Sequence, residues 1–188
     1  MFSSDNGPAN NASSPTVWMD SAAPYRCGKG WGKRTLREGG IRMPFIVSWG
    51  DKLTPAVSDY IGYFPDVMPT LCDIAGVVSP QTDGISFLPT LKGKRQPKHD
   101  YLYWEFPKFK GGNGWLSVRM GRWKALVEDV ADGNTRMQLY DITTDVREEN
   151  DLAADYPKVV AAMWQAIKES HTDANNPLFQ LDIKYPAE

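Results

Sequence analysis

The sequence is poor in cysteine and histidine. Among its 188 residues there are two cysteines, Cys27 and Cys72, and two histidines, His99 and His171. Two cysteines are too few for a disulfide framework, whether or not they pair with each other. The hydrophobic content of 41%, with 7 Trp, 8 Tyr and 7 Phe, is sufficient for a packed core instead.

The chain also lacks long hydrophobic runs and a strong net charge. No run of about 18 apolar residues occurs, so no membrane-spanning helix is predicted. The first residues lack the basic and apolar segments of an export signal. The net charge is −2 at pH 7 and the isoelectric point is about 5.7, which excludes a global electrostatic surface for nucleic acid or an anionic membrane. Any anion site must therefore be local.

Hydrophobic patterning divides the chain into two parts, with a basic, proline-containing linker at residues 93–98. In the first part, residues 41–48 have the apolar, β-branched composition of a buried strand. Residues 65–76 have the pattern of a helix that ends at a glycine. In the second part, a helix that begins near Asp155 is predicted to pack across a sheet. That sheet is a predicted four-stranded antiparallel meander, made of aromatic-rich runs at residues 101–106, 115–120, 123–128 and 137–141.

A glycine-rich, cationic loop at residues 26–40 precedes the predicted strand. It does not fit a nucleotide-binding P-loop, which needs a glycine, four residues and then Gly-Lys-Ser/Thr. Around Gly32 and Lys33, the position of the first glycine is occupied by Cys27 and that of the hydroxyl residue by Arg34. Nucleotide binding is therefore not predicted.

Together with its flanks, this loop resembles a motif of the type I sulfatases of the alkaline phosphatase superfamily. Residues 32–45 read Gly-Lys-Arg-Thr-Leu-Arg-Glu-Gly-Gly-Ile-Arg-Met-Pro-Phe. The family carries Gly-x-Lys-x-x-x-Tyr-Glu-Gly-Gly-Ile-Arg-x-Pro, so Arg37 replaces the usual aromatic residue. Further matches include Val-Arg-x-Gly-x-Trp-Lys at residues 118–124 and Leu-Tyr-Asp-x-x-x-Asp-x-x-Glu at residues 139–148. The resemblance covers residues 2–180.

The resemblance implies a calcium site near the start of the chain. Phe-Ser-Ser-Asp-Asn-Gly at residues 2–7 matches a strand end whose adjacent Asp and Asn are calcium ligands in this family. Asp5 and Asn6 are therefore the implied metal ligands, and a carboxylate with an amide carbonyl suits a hard cation. Taken alone, Asp-Asn-Gly is more often a simple turn.

The resemblance also implies a lysine that binds the sulfate of the substrate. Counting five residues back from Glu38 gives Lys33, the implied catalytic and substrate-binding lysine. Counting forward from Arg26 favours Lys29, as if the loop contained a short insertion, so Lys29 stays an alternative. Either ammonium would be a compact point charge against a sulfate oxygen, although such a lysine in a loop is usually just solvated.

His99 is the remaining candidate for substrate binding. It lies beside Asp100 near the boundary between the two parts, and in relatives such a position can contact the sugar next to the sulfate ester. The alternative is a surface histidine next to a strand.

The nucleophile of the family is not found in this sequence. It is a formylglycine made from the Cys or Ser of Cys/Ser-x-Pro-x-Arg, and neither Cys27 nor Cys72 begins that pattern. An earlier Asp-Asp pair and histidines are also missing. The resemblance therefore implies the C-terminal portion of a sulfatase, inactive by itself. Two ligands are too few to bind calcium strongly, because calcium takes about six or more oxygens.

The expected fold class is α/β. Residues 1–92 are expected to form the end of an alkaline-phosphatase-like α/β sheet, and residues 98–188 a small four-stranded antiparallel sheet packed by one helix. An incomplete sheet would expose an edge through which copies of the chain associate. The compartment is not recorded in the sequence, although full-length relatives are commonly exported.

The implied function is hydrolysis of sulfate esters of aryl alcohols or sugars by a calcium and formylglycine mechanism, with a sulfated small molecule or glycan as partner. Two alternatives remain. One is a phosphoesterase of the same superfamily, disfavoured because such enzymes usually place histidine near the metal. The other is a non-catalytic carbohydrate-binding or interaction module formed by the aromatic sheet.

Overall fold

The computed structural model of the chain describes residues 1–9, 19–26, 31–109 and 112–186. Its contacts divide the chain into two compact units. Residues 46–102 form one, which we call the helical unit, and residues 2–45 with residues 103 onward form the other, which we call the sheet unit. The division into domains at residues 1–92 and 98–188 stays a prediction.

The sheet unit is built on a four-stranded antiparallel meander. Its strands follow each other in the order β1-β2-β3-β4 and are β1 (Leu102–Phe109), β2 (Gly112–Met120), β3 (Trp123–Glu128) and β4 (Met137–Asp141). Gly121 has a φ of 58°, which suits the tight turn between β2 and β3 because glycine enters the left-handed region without steric cost. The predicted meander is therefore confirmed.

Two α-helices belong to the described part of the sheet unit. The four-residue helix α1 (Glu38–Ile41) has three buried residues, and a later helix (Pro157–Ser170), here α4, begins with proline at its first position. This helix packs against β2 and confirms the prediction of a helix across the meander. It buries Met163, Trp164, Ala166 and Ile167. A core cluster beneath the sheet joins Leu36, Leu126, Tyr140 and Ile142.

The helical unit contains two helices, α2 (Val67–Ala75) and α3 (Leu88–Leu91), after a 3-10 turn at Phe64–Asp66. Gly76 ends α2 in the left-handed conformation with a φ of 70°, as the sequence predicts. One side of α2 stays exposed and carries Leu71, which is 49% exposed. No helix in the described ranges is long and apolar enough to cross a bilayer.

The predicted strand at residues 41–48 is wrong. Ile41 ends α1, and residues 42–48 belong to no strand in the described part of the chain. Phe45 is 44% exposed and Ile46 is 58% exposed, so this apolar run is not buried. Apolar, β-branched composition favours a strand, but a strand also needs a continuous hydrogen-bonded neighbour. In the described residues this segment has one isolated bridge position, Ile46, and no ladder.

Candidate functional site

The segment that carries Asp5 and Asn6 is held by its backbone against two other parts of the sheet unit. The Gly7 N–H donates to the Gly40 carbonyl at 2.8 Å, and the Lys33 N–H donates to the Pro8 carbonyl at 2.8 Å. Two of the sequence-predicted regions, around residues 5–6 and at Lys33, therefore lie side by side. The structure brings them together at the backbone level.

Gly7 is required for this approach. A Cβ at this position would lie 1.8 Å from the Gly39 carbonyl oxygen, well inside van der Waals contact. Because both partners are backbone, neither a rotamer change nor a flexible side chain can relieve such a clash. The glycine in Asp-Asn-Gly thus serves close packing against the Gly39 and Gly40 pair.

Asp5 and Asn6 form a small polar turn. The Asn6 Nδ2 donates to the Asp5 Oδ1 at 2.8 Å, and the Ser4 Oγ donates to the Asn6 carbonyl at 2.9 Å. The Asp5 side chain is exposed. A carboxylate and an amide oxygen in one exposed turn fit the donor chemistry of calcium. Within the described ranges, no group of three or more His, Cys, Asp or Glu residues could hold a metal ion, so these two side chains would supply only part of a site.

The sulfate ligand implied by the resemblance is Lys33, with Lys29 as the alternative. Lys33 is exposed, and its backbone is bonded to the residue that follows Gly7. Lys29 lies outside the described residues. The geometry therefore supports Lys33 as a neighbour of the Asp5 and Asn6 turn, and the choice between the two lysines stays a prediction.

His99 lies in the helical unit and contacts a buried carboxylate. Its Nε2 is 2.8 Å from the Asp66 Oδ1, and the His99 and Asp66 side chains are 9% and 1% exposed. The His99 ring packs edge-on against Tyr63, with centroids 5.1 Å apart. The His99 side chain is thus largely buried and paired, rather than that of the surface histidine of the alternative, and substrate contact by this residue stays a prediction.

Asp66 organises the helical unit through its two carboxylate oxygens. Oδ1 accepts the Ile85 N–H at 2.8 Å, and Oδ2 accepts the Tyr60 hydroxyl at 3.1 Å and the Tyr63 N–H at 3.2 Å. Burial first, and then the negative charges of Asp83 and Asp66, raise the pKa of Tyr63 to about 12. A carboxylate with this many donors is fully satisfied, as a buried charge must be.

The sheet unit contains a buried ionic cluster that is not among the sequence predictions. Lys124 on β3 is fully buried, and its Nζ lies 2.8 Å from the Glu38 Oε1 and 3.0 Å from the Glu148 Oε1. Glu148 Oε2 accepts the Glu38 N–H at 2.9 Å. The Arg42 Nη1 lies 3.0 Å from the Glu38 Oε2. We call Glu38, Lys124 and Glu148 the ionic triad.

The two carboxyl groups of the ionic triad have opposite electrostatic environments. Burial alone would raise the pKa of Glu38, but Lys124 and Arg42 together lower it below its ordinary value. Burial raises the pKa of Glu148, and the favourable interaction with Lys124 offsets this only in part. The charge of Glu38 is therefore the better stabilised of the two.

Two glutamine variants should reveal this difference as opposite pH dependences. The lowered pKa of Glu38 means that its stabilisation is present above the ordinary value of 4.5 and is lost as the pH falls through the folded-state pKa. The raised pKa of Glu148 means that its stabilisation is present below 4.5 and is lost as the pH rises through the folded-state pKa. The stability loss in Glu38→Gln should therefore grow with pH, and the loss in Glu148→Gln should shrink.

Urea unfolding of both variants and the wild type across the acid and neutral range measures these losses. Parallel pH dependences for the two variants would contradict the assignment.

The contacts of Arg37 explain how an arginine can stand where the family motif has an aromatic residue. The Arg37 guanidinium carbon lies 4.0 Å from the centroid of the Trp31 ring. Its Nη2 pairs with Glu128 and also donates to the Gln138 Oε1 at 3.3 Å. Arg37 is 7% exposed. The planar guanidinium thus packs on an aromatic ring as an aromatic side chain would, and it is neutralised by a carboxylate at the end of β3.

A local signal for the ionic triad was present in the sequence. Lys124 stands in Trp-Lys-Ala-Leu-Val-Glu, where β3 buries four consecutive residues. A lone lysine within such a run is either at a solvent-facing position or paired with buried carboxylates. The sequence alone does not identify those carboxylates, because they lie 86 positions away at Glu38 and beyond the sheet at Glu148.

Comparisons with known proteins show which family the chain is similar to. The family described as N-sulphoglucosamine sulphohydrolase, C-terminal, matches residues 28–173. Human arylsulfatase A is 27% identical, with 90% of this chain and 36% of that protein covered. An N-acetylgalactosamine-6-O-sulfatase from Bacteroides thetaiotaomicron is 28% identical, with 92% of this chain and 36% of that protein covered.

Solved structures show the same likeness. A structure from work on the metabolism of multiple glycosaminoglycans by Bacteroides thetaiotaomicron has a TM-score of 0.67 at 26% identity, covering 89% of this chain and 37% of that one. This likeness confirms the predicted α/β fold class with its small antiparallel sheet. The chain spans 37% or less of the length of these three relatives.

Proposed function

The chain belongs to the sulfatase family defined by the C-terminal region of N-sulphoglucosamine sulphohydrolase, and from this premise we propose that it is the C-terminal portion of an enzyme that hydrolyses sulfate esters. The observation that carries the proposal is the pairing of the Asp5–Pro8 segment with Lys33 and Gly40 through two backbone hydrogen bonds of 2.8 Å. These two bonds support the proposal that the residues assigned to metal and sulfate by the resemblance belong to one site.

In the proposed site, Asp5 and Asn6 would supply two of the oxygen ligands of a calcium ion, one from a carboxylate and one from an amide. When bound, such an ion withdraws negative charge from a sulfate oxygen. Lys33 binds another sulfate oxygen with its ammonium group and orients the ester. The nucleophile, a formylglycine, and the remaining calcium ligands come from a preceding segment outside this chain. This chain by itself is therefore inactive.

The proposed substrate class is a sulfated sugar, with aryl sulfates as simpler substrates. The bacterial relative is named for action on N-acetylgalactosamine-6-O-sulfate, and the structural neighbour comes from work on glycosaminoglycans. Substrate contact by His99 stays a prediction, and since its Nε2 is engaged by Asp66, such a contact would have to use another part of the ring.

The proposal is tested by sulfate release from an aryl sulfate and a sulfated monosaccharide by the complete protein. We expect release that stops on chelation of calcium and resumes on its return, with no release by this chain alone. A phosphate ester of the same alcohol should be a poor substrate. Equal turnover of the phosphate ester would favour the phosphoesterase alternative, and turnover by this chain alone would contradict the proposal.

We also propose that copies of this chain associate through an apolar stripe on α2 and the 3-10 turn before it. Phe64, Met68 and Leu71 follow helical spacing and are 48%, 43% and 49% exposed, and exposed apolar stripes of this kind favour association. Light scattering should show a lower average mass for Leu71→Lys than for the wild type, whereas Asp73→Lys on the same helix should keep the wild-type mass. A wild-type chain that is monomeric at all concentrations would refute association.

A further inference from the structure

The ionic triad holds one residue, Glu38, from two directions. The Glu38 carboxylate accepts a hydrogen bond from the buried Lys124 ammonium at 2.8 Å. The Glu38 backbone N–H donates to the Glu148 Oε2 at 2.9 Å. Because charge-assisted hydrogen bonds are short and directional, these contacts fix both the side chain and the backbone of this residue.

Glu38 is also the first residue of α1, and α1 is enclosed by backbone on several sides. A Cβ on Gly39 would lie 2.0 Å from the Arg26 carbonyl oxygen and 2.5 Å from the Trp31 carbonyl oxygen. A Cβ on Gly40 would lie 2.4 Å from the Thr35 carbonyl oxygen. Because Gly39 and Gly40 have no side chains that could adjust, a shift of Glu38 moves the backbone of the turn as a whole.

The α1 turn also holds the proposed metal and sulfate site through its backbone. The Gly40 carbonyl accepts the Gly7 N–H at 2.8 Å, one residue after Asn6. The following residue, Pro8, accepts the Lys33 N–H at 2.8 Å. A continuous path of directional contacts therefore runs from Lys124 through Glu38 and Gly40 to the Asp5–Pro8 segment.

A buried ionic cluster is a poor means of adding stability. Desolvation of its charges offsets most of their attraction, and apolar replacements of similar volume are often as stable. A triad of charges restricts the orientation and position of its residues more than apolar packing does, because each contact has defined donor and acceptor geometry. The cluster is thus better suited to placing α1 than to strengthening the core.

We propose that Glu38, Lys124 and Glu148 are positioning residues that fix the α1 turn and, through it, the Asp5–Pro8 segment and the backbone of Lys33. This inference rests on the proposed function for what the segment binds, but the placement itself does not depend on that function. None of the three residues contacts the substrate or the metal in this account.

The test is amide hydrogen exchange at Gly7 and Lys33, measured on the complete protein without calcium or sulfate. In Lys124→Met, exchange at both amides should accelerate by about ten-fold or more, because the turn that holds them loses its anchor. In Glu148→Gln the amide oxygen can still accept the Glu38 N–H, so the acceleration should be smaller. This second variant keeps the test informative if Lys124→Met does not fold.

The matched control is Leu139→Ala, which removes a fully buried side chain on β4 and destabilises the same unit. Leu139 pairs with Ala125, so it lies on the opposite face of the sheet from Lys124. Exchange at Gly7 and Lys33 should stay within about two-fold of the wild type in this variant under conditions where local opening dominates. Equal acceleration in Leu139→Ala and the triad variants would overturn the inference, because the triad would then act only through global stability.

Calcium affinity, measured by titration calorimetry, separates this inference from the proposed function. We expect calcium affinity to fall in Lys124→Met and to change little in Leu139→Ala. Faster exchange with unchanged calcium affinity would uphold the positioning role and overturn the assignment of metal binding to Asp5 and Asn6. Unchanged exchange in both triad variants would overturn the positioning role, whatever the calcium affinity.

Discussion

Replacing Lys124 with methionine is expected to lower the free energy of unfolding by about 3 to 5 kcal/mol near neutral pH. The substitution preserves most of the side-chain volume but removes the cation that lies 2.8 and 3.0 Å from two buried carboxylates. Glu38 keeps Arg42 as a partner at 3.0 Å, whereas Glu148 loses its only ion pair in the described residues. An unpaired buried charge accounts for the size of the loss. Urea unfolding monitored by tryptophan fluorescence measures it.

Lys158→Met is the control for this prediction. Lys158 is exposed near the start of α4, so the same chemical change there should alter the free energy of unfolding by no more than about 0.5 kcal/mol. A loss in Lys124→Met that is no larger than in Lys158→Met would mean that the ionic triad contributes nothing to stability.

Replacing Lys33 with alanine is expected to lower kcat/KM for sulfate-ester hydrolysis by about a hundred-fold or more in the complete protein. The lost ammonium would be the charge that balances the sulfate and the negative charge that develops on it during the reaction. Because the side chain is exposed and the backbone N–H that bonds to Pro8 is kept in alanine, the chain should still fold. Steady-state kinetics on an aryl sulfate measures the effect.

Two further lysine variants complete that experiment. Lys52→Ala removes an exposed lysine of the helical unit whose Nζ lies 4.7 Å from the Trp49 ring centroid, and its kcat/KM should match the wild type. Lys29→Ala should lower kcat/KM much less than Lys33→Ala. If Lys29→Ala shows the large loss and Lys33→Ala does not, the loop carries its sulfate ligand at the alternative position.

Much of the sheet unit could be predicted from the sequence because its signals are local. Four aromatic-rich runs, each bounded by turn residues, predict four strands, and glycine at position 121 predicts the tight turn between two of them. The helix that follows is marked by apolar residues at helical spacing from Val159 to Ile167. None of these signals requires knowledge of which distant residues come together.

The remaining features depend on distant partners, and local patterns do not encode those. The run from Ile41 to Ser48 has strand composition, yet a strand forms only where a neighbour completes the ladder. Glu38 and Lys124 are 86 positions apart, and Glu38 and Glu148 are 110 apart. A polar residue in a buried strand signals that a partner exists, but its identity is a property of the fold.

The candidate site was predicted by the resemblance, and the structure adds the physical link. Asp-Asn-Gly alone indicates only a turn, and Lys33 alone indicates only a solvated loop residue. The hydrogen bonds from Gly7 to Gly40 and from Lys33 to Pro8 join these two stretches of sequence. The roles of Asp5, Asn6 and Lys33 in binding stay predictions.

The central claim is that Asp5, Asn6 and Lys33 act on one calcium ion and the sulfate beside it. Calorimetric titration of inorganic sulfate into the complete protein, with and without calcium, tests it most directly. We predict that calcium tightens sulfate binding by about 5-fold to 150-fold, the range typical of coupled sites. This coupling should disappear in Asp5→Ala, and sulfate binding itself should weaken in Lys33→Ala. Equal sulfate affinity with and without calcium in the wild-type protein would contradict the claim.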